Sequence, residues 1–217
     1  DDQPVSSIGS LAIAPSNPNI VYVGSGEANI RGNVAAGNGI YKTVDAGKTW
    51  THVWKQEGQI GTMLVHPTNP DVAYAAVLGK AFGPNDERGV YRTRDGGATW
   101  ERVLFVDDNT GAIDLAMDPA DPNTLFAAMY QRLRTAYGFN GGGPGSGIWR
   151  SSDGGENWTR LEGNGLPDTE ESLFDRVQRF ADDGLKVDEF PDCSLLRFGA
   201  LELCAASDAC GTNRPRR

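Results

Sequence analysis

Three stretches decide how this chain is built: Thr43-Val44-Asp45-Ala46-Gly47-Lys48-Thr49-Trp50, Thr93-Arg94-Asp95-Gly96-Gly97-Ala98-Thr99-Trp100 and Ser151-Ser152-Asp153-Gly154-Gly155-Glu156-Asn157-Trp158. They share the pattern Ser/Thr-x-Asp-x-Gly-x-Thr/Asn-Trp. Their aspartates stand 50 and 58 residues apart. A unit that recurs at about fifty residues marks a fold of similar blades or coils, each burying a face that its neighbour covers.

Two further landmarks precede each copy. An apolar run broken by a proline turn occurs as Leu11 to Val23, Met63 to Ala75 and Leu115 to Ala127, with Pro15, Pro67 and Pro119 spaced 52 and 52 apart. A short segment then occurs as Gly39-Ile40-Tyr41-Lys42, Gly89-Val90-Tyr91-Arg92 and Gly147-Ile148-Trp149-Arg150. The insertion Gly141 to Gly147 accounts for the longer second spacing.

Each unit reads as four strands. In the first, Ile8 to Ala14 precedes the Pro-x-Asn-Pro turn, because proline presets the backbone angle and removes a donor. Ile20 to Gly24 is apolar, β-branched and aromatic. A long loop leads to Gly39 to Thr43, and the aspartate turn leads to Trp50 to Trp54. No long helical periodicity occurs before residue 166. The expected fold is all-β: about three four-stranded blades of a larger β-propeller.

Within the motif, Asp45 is expected to accept backbone N–H groups of its turn, with Gly47 supplying an angle that costs other residues more. Trp50 is expected to fold its ring between neighbouring sheets, where it carries a large apolar area. Asp95, Gly97, Trp100 and Asp153, Gly155, Trp158 are the equivalents.

The motif resembles the Asp-box, or bacterial neuraminidase repeat. That repeat occurs in sialidases, xyloglucan-degrading glycosidases, the Vps10/sortilin luminal propeller and large secreted bacterial proteins labelled glycosyl hydrolases. The run Pro15-Ser-Asn-Pro-Asn-Ile-Val-Tyr-Val-Gly-Ser-Gly-Glu27 is similar to the sortilin-like propellers of the last group. The resemblance covers residues 1 to roughly 166. It implies that Asp45, Asp95 and Asp153 are structural, on a rim away from the central cleft.

A closed propeller takes about four to eight blades, so the remaining blades of a longer chain are expected as partners. Asp1 to Pro4 reads as the end of a preceding outer strand. After Pro167 the repeat stops, and residues 167–217 form an atypical tail. Asp168 to Leu185 has an amphipathic helical pattern, with Leu173, Phe174, Val177 and Phe180 on one face. The tail reads either as a helical cap or as the product of a reading-frame break, and the loss of repeat character favours the second. Cys193, Cys204 and Cys210 all lie there, an odd set without disulfide or metal spacing.

Net charge is −9 and the sequence pI about 4.7. No basic footprint for nucleic acid is present, and no apolar run is long enough to span a membrane as a helix. No metal-ligand spacing, dinucleotide fingerprint or Ser-His-Asp grouping appears, so no metal or cofactor is expected. His52 and His66 read as packing and turn residues, and the Asn157 sequon reads as a turn residue.

Function in such a fold belongs to the long loops between the second and third strands. These carry Glu27, Asn29 and Arg31; Asp86 and Arg88; and Arg132 and Tyr137. Carboxylates, arginines, amides and aromatics together suit a glycan or a peptide. The expected function is a binding and scaffolding module, secreted or in the cell envelope. The alternative is a fragment of an extracellular glycoside hydrolase, xyloglucanase-like or sialidase-like. Glu27 is the one catalytic candidate. A glycosidase needs a second carboxyl group across the cleft, for which Asp86 and Glu87 are available. The catalytic aspartate of xyloglucan-degrading relatives does not align with Glu27 residue for residue, and no sialidase arginine triad can be drawn from Arg31, Arg88, Arg132 and Arg134.

Overall fold

The computed structural model describes residues 4–29, 34–163 and 166. The helix expected over 168–185, the three cysteines, Arg31 and the first residues of the chain lie outside them.

The described residues form three antiparallel sheets and no helix. The first contains β1 (Ile8–Ile13), β2 (Val21–Ser25), β3 (Ile40–Thr43) and β4 (Thr51–Trp54), paired in that order. The second contains β5 (Gln59–Val65), β6 (Ala73–Gly79), β7 (Gly89–Thr93) and β8 (Glu101–Leu104), again in order. The third contains β9 (Thr110–Met117), β10 (Leu125–Arg134), β12 (Gly147–Ser151) and β13 (Thr159–Leu161), with β11 (Phe139–Gly141) added to the far end of β10. These are three blades of a β-propeller.

One loop differs from expectation. The segment after Tyr130 continues β10 and folds back as β11, pairing Arg132 with Gly141 and Arg134 with Phe139. The turn from Thr135 to Gly138 closes this hairpin, with Thr135 N donating to Gly138 O at 2.9 Å, and the glycine insertion leads from β11 to β12. Cross-strand pairing satisfies backbone groups that a bare loop of this length leaves to water.

The register repeats from blade to blade. Tyr22 lies opposite Lys42, Tyr74 opposite Arg92 and Phe126 opposite Arg150. Alternation along the middle strands splits each sheet between two cores. Ala73, Ala75 and Val77 face the first blade and join Tyr22, Ile40, Trp54, Ile60 and Met63. Tyr74 and Ala76 face the third blade and join Val90, Leu104, Leu115, Leu125, Ala127 and Met129. β6 is buried along its whole length because it is covered on both faces.

The inner strands approach backbone to backbone. A β-carbon on Gly9 would lie 2.1 Å from the Ile60 carbonyl oxygen, and one on Gly61 would lie 2.0 Å from that of Ile113. Only hydrogen fits at either place.

The aspartate turns are alike in detail. Thr43 Oγ1 donates to Asp45 Oδ1 at 2.7 Å; Asp45 also accepts from Thr49 N at 2.9 Å and Thr49 Oγ1 at 2.6 Å. Asp95 and Asp153 repeat the arrangement with Thr93 and Thr99, and with Ser151 and Asn157. These bonds favour the ionised carboxylate. The Thr49 and Thr99 hydroxyls, with their backbone amides, hold Asp45 and Asp95 at about 2, and the Asn157 amides lower Asp153 in the same way.

The tryptophans divide. Trp100 packs into the first core, its ring 6.5 Å from Tyr22 and nearly perpendicular to it, and Trp158 packs into the second core. Trp50 departs from the expectation. It remains 46 % exposed, with Nε1 donating to the Gly47 carbonyl at 3.1 Å, because no described sheet lies on that side of the first blade.

Candidate functional site

The loops between second and third strands emerge at one end of each blade. Ser25 fixes the base of the first. Its buried hydroxyl accepts from the amides of Asn38 and Gly39, at 2.9 and 3.0 Å, and lies 2.7 Å from the Gly39 carbonyl. Farther out, Glu27 N donates to Ala35 O at 3.0 Å and Ala35 N to Glu27 Oε2 at 3.3 Å, closing the loop on itself.

Arg88 organises the second loop. Its side chain is fully buried and donates to the carbonyls of Lys80, Gly83 and Asn109 at 3.2, 3.1 and 2.5 Å. It thereby ties the second blade's loop to the third blade. Arg132 is also buried and donates to Gln59 Oε1 at 2.5 Å, back toward the second blade. Burial, with the charge of Arg88 beside it, lowers Arg132 to about 10. Burial lowers Arg88 as well, while Asp107 and Asp108 act in the opposite sense. Both arginines, expected from the sequence among the ligand-binding residues, are buried against neighbouring backbone, and Arg132 also borders a small cleft between the loops.

Two cavities lie among these loops. One, of about 170 Å³, is bounded by Val34, Gly37, Glu57, Gln59, Lys80 and Phe82. Beside it, Val34 and Ala81 also meet Arg132, Arg134 and Phe139. Phe82 and Phe139, which border these cavities, are 57 % and 39 % exposed, and Tyr137, two residues before Phe139, is fully exposed. A bridge between Phe82 and Arg134 joins the second loop to the third.

The other cavity, of about 410 Å³, is lined by the inner strands and the first loop. Glu27 and Asn29 meet Thr62 and Asp114 there. Asp114 Oδ1 accepts from Thr62 Oγ1 at 2.6 Å and from Leu115 N at 2.9 Å. Asp114 is the residue that sequence reasoning missed. The signal was available: Ser10, Thr62 and Asp114 recur at a spacing of 52, a polar position within apolar inner strands. Asp86, by contrast, is on the surface, its carbonyl taken by Arg102.

Among the described residues, no group of three histidine, cysteine or acidic side chains is placed to hold a metal ion. His52 stacks on Tyr41 with ring centres 4.3 Å apart, and His66 Nδ1 accepts from Asn69 N at 3.2 Å within its turn.

The family description for sortilin, neurotensin receptor 3, matches residues 38–170, more than half of the chain. The chain belongs to the Sortilin-Vps10 family. This Sortilin-Vps10 propeller is similar to solved structures of low sequence identity. An ancestral GH74 enzyme is 19 % identical, with 77 % of this chain and 20 % of that one covered and a TM-score of 0.51. The GH74 xyloglucanase from Xanthomonas campestris is 17 % identical, over 74 % of this chain and 24 % of that one, with a TM-score of 0.49. YCF48 from Cyanidioschyzon merolae is 17 % identical, over 82 % and 42 %, with a TM-score of 0.44. The chain thus spans about a fifth of the length of the first of these. No curated protein matches the sequence.

Proposed function

We infer that this propeller is a binding module that takes a glycan or an extended peptide at the mouth built by its strand 2–3 loops, in a secreted or cell-envelope setting. The observation that carries this reading is the exposure of Phe82, Phe139 and Tyr137 on the second and third loops, with Phe82 edging a small groove beside Glu57, Gln59 and Lys80 and Phe139 bordering the cleft next to it. Exposed rings offer faces for sugar rings or apolar side chains. The amide, ammonium and carboxylate beside them offer polar partners that orient a bound chain. The buried Arg88 and Arg132 hold the loops in place. The aspartate turns, which close hydrogen bonds among their own residues, serve the fold in this reading, as the Asp-box resemblance implies.

Arrayed glycans and extended peptides, presented to the full chain, test the reading. Binding lost on Phe82→Ala and Tyr137→Ala, with the melting temperature unchanged, supports it. Binding indifferent to both substitutions contradicts it.

A second reading, glycoside hydrolysis, rests on one observation: Glu27 and Asp114 line the same cavity. Two carboxyl groups across a cleft are what acid–base or nucleophilic cleavage of a glycosidic bond requires. Glycan cleavage abolished by Glu27→Gln or Asp114→Asn would support this reading over simple binding. Cleavage that survives both substitutions would reject it.

A further inference from the structure

The two joints between blades share one contact and differ around it. In each, a cation on the third strand of one blade reaches the aspartate turn of the next. Lys42 Nζ donates to the Gly96 carbonyl at 2.8 Å at the first joint, and Arg92 Nη1 to the Gly154 carbonyl at 2.7 Å at the second. At the second joint the chain's own side chains fill the space beside that contact. Glu101 and Glu156 pair with Arg92 at 3.0 and 3.2 Å, and Arg94 closes on Glu156. At the first joint the repeat puts Thr51, Ala98 and Val44 in the places of Glu101, Glu156 and Arg94. All three are smaller and uncharged. A groove of about 420 Å³ opens there between two blades, bounded by blade one's outer strand and blade two's aspartate turn. Its size falls among small-ligand sites, about 300–1,000 Å³.

The charges in this groove are met from within. Lys42 has Asp71 at 3.7 Å, where the second joint has the neutral Asn123. Asp95 accepts from Thr93 Oγ1 and from both Thr99 donors. An ion entering the groove would lose water to face charges that are engaged elsewhere, which is costly. The groups left open are neutral or hold spare hydrogens. The Thr51 hydroxyl is exposed and has no partner among the described residues. The Lys42 ammonium has more hydrogens than the Gly96 carbonyl uses. Gly97, on the same wall, lacks a donor that its equivalents receive. Trp50 and Trp158 donate through Nε1 to Gly47 O and Gly155 O at 3.1 and 3.2 Å, whereas Trp100 turns its ring to Tyr22 and its Nε1 makes no bond. Val44 and Val53 add an apolar side.

We propose that this rim groove is a second recognition site, taking an uncharged sugar residue of a glycan. Lys42 Nζ and Thr51 Oγ1 bond its hydroxyls, and the two valines meet its C–H face. A pyranose presents both kinds of surface on one small ring, without a charge to be met. The site is independent of the mouth: the aspartate turns and the strand 2–3 loops lie at opposite ends of the third strands.

The methyl glycosides of glucose, galactose, mannose and N-acetylglucosamine, titrated into the full chain with amide chemical shifts as the readout, test the site. At least one should move the Thr51 and Ala98 amides saturably, with half-saturation on the order of millimolar. Val44→Arg, Thr51→Glu, Asp71→Asn and Ala98→Glu together rebuild the second joint's filling. That variant should keep its melting temperature within a few degrees, since the chain already builds such a joint, and should bind at least tenfold more weakly. Thr51→Val, which keeps the shape at an exposed position, should weaken binding severalfold without loss of stability. Phe82→Ala, at the mouth, should leave this binding unchanged. The proposal is overturned if none of the four sugars moves these amides saturably, or if the filled groove binds as the parent does. It is also overturned if methyl glucuronide or a glycine–serine peptide binds there as well as the neutral sugars.

Discussion

Gly24 meets Ile60 across the joint between the first two blades: a β-carbon there would lie 2.4 Å from Ile60 Cγ2. Ile60 is fully buried in the first core, so it has little room to give way. Gly24→Ala should lower stability by about 1–3 kcal/mol, as overpacking of a dense core does. Denaturant titration measures it, with Gly138→Ala as a control, since that β-carbon meets only Thr135 Oγ1 at 3.7 Å. Equal midpoints for the two variants would show that the joint yields.

Ala46 has φ of 61°, the left-handed region, where the other two aspartate turns have Gly96 and Gly154. A β-carbon strains that backbone by about 1–2 kcal/mol, part of which glycine returns through the freedom of its unfolded chain. Ala46→Gly should therefore stabilise the fold by about 0.5–1 kcal/mol, read as a rise in melting temperature. Gly96→Ala should do the reverse and more, because its β-carbon would lie 2.7 Å from Lys42 Nζ and disturb the bond from that ammonium to the Gly96 carbonyl.

Acid should loosen the aspartate turns. The Thr49 and Thr99 donors hold Asp45 and Asp95 at about 2 in the folded chain, below the ordinary carboxylate range, so their ionised forms are favoured by folding. A lowered carboxylate contributes stability that is complete above the unfolded value and is lost as pH falls through the folded one. Melting temperature should fall between about pH 4 and pH 2. Asp95→Asn should lower it at neutral pH, because an amide cannot accept from both Thr99 donors as the carboxylate does, and should flatten the acid slope. A variant that matches the parent at pH 7 would remove the structural role of Asp95.

Arg92 is buried and bonded to Gly154 O, Glu101 and Glu156 at 2.7, 3.0 and 3.2 Å. Arg92→Met keeps its packing and removes its donors, and should cost about 1.5–3 kcal/mol, the worth of hydrogen bonds to a charged group. Both glutamates are largely exposed, so water takes over their solvation. Arg92→Lys should recover part of the loss, since Lys42 makes the equivalent carbonyl contact at the first joint. Hydrogen exchange across blade three locates the effect.

Arg88→Met should uncouple the second loop from the third blade. The carbonyls of Lys80, Gly83 and Asn109 would lose their shared donor, at about 1–3 kcal/mol for buried acceptors left unpaired. Faster exchange of the Ala81 to Glu87 amides, and weaker ligand binding without any lost ligand contact, would mark Arg88 as a positioning residue.

The blades were legible because their signals are local. The proline turn, the aspartate turn and the alternation of apolar residues each act within a few residues, and their repetition excludes coincidence. The β10–β11 hairpin was not legible, since β11 is only the three residues Phe139 to Gly141 at the start of a glycine-rich stretch. The burial of Arg88 and Arg132 was not legible for a different reason. An arginine in a glycine-rich loop has the same local sequence whether water or a neighbouring blade covers it. Asp114 was overlooked because one polar residue in an inner strand is inconspicuous until its neighbours from other blades are set beside it.

From its sequence alone, this chain determined three four-stranded units, the residues that turn them and the loops available for recognition. Strand pairing and turn geometry depend on residues close along the chain, and such preferences survive without knowledge of what lies nearby. The tertiary structure decided which tryptophans are covered, which arginines are sealed, and that a cation from one sheet grips the turn of the next. Those outcomes depend on which surfaces meet, and burial is a property of two surfaces together.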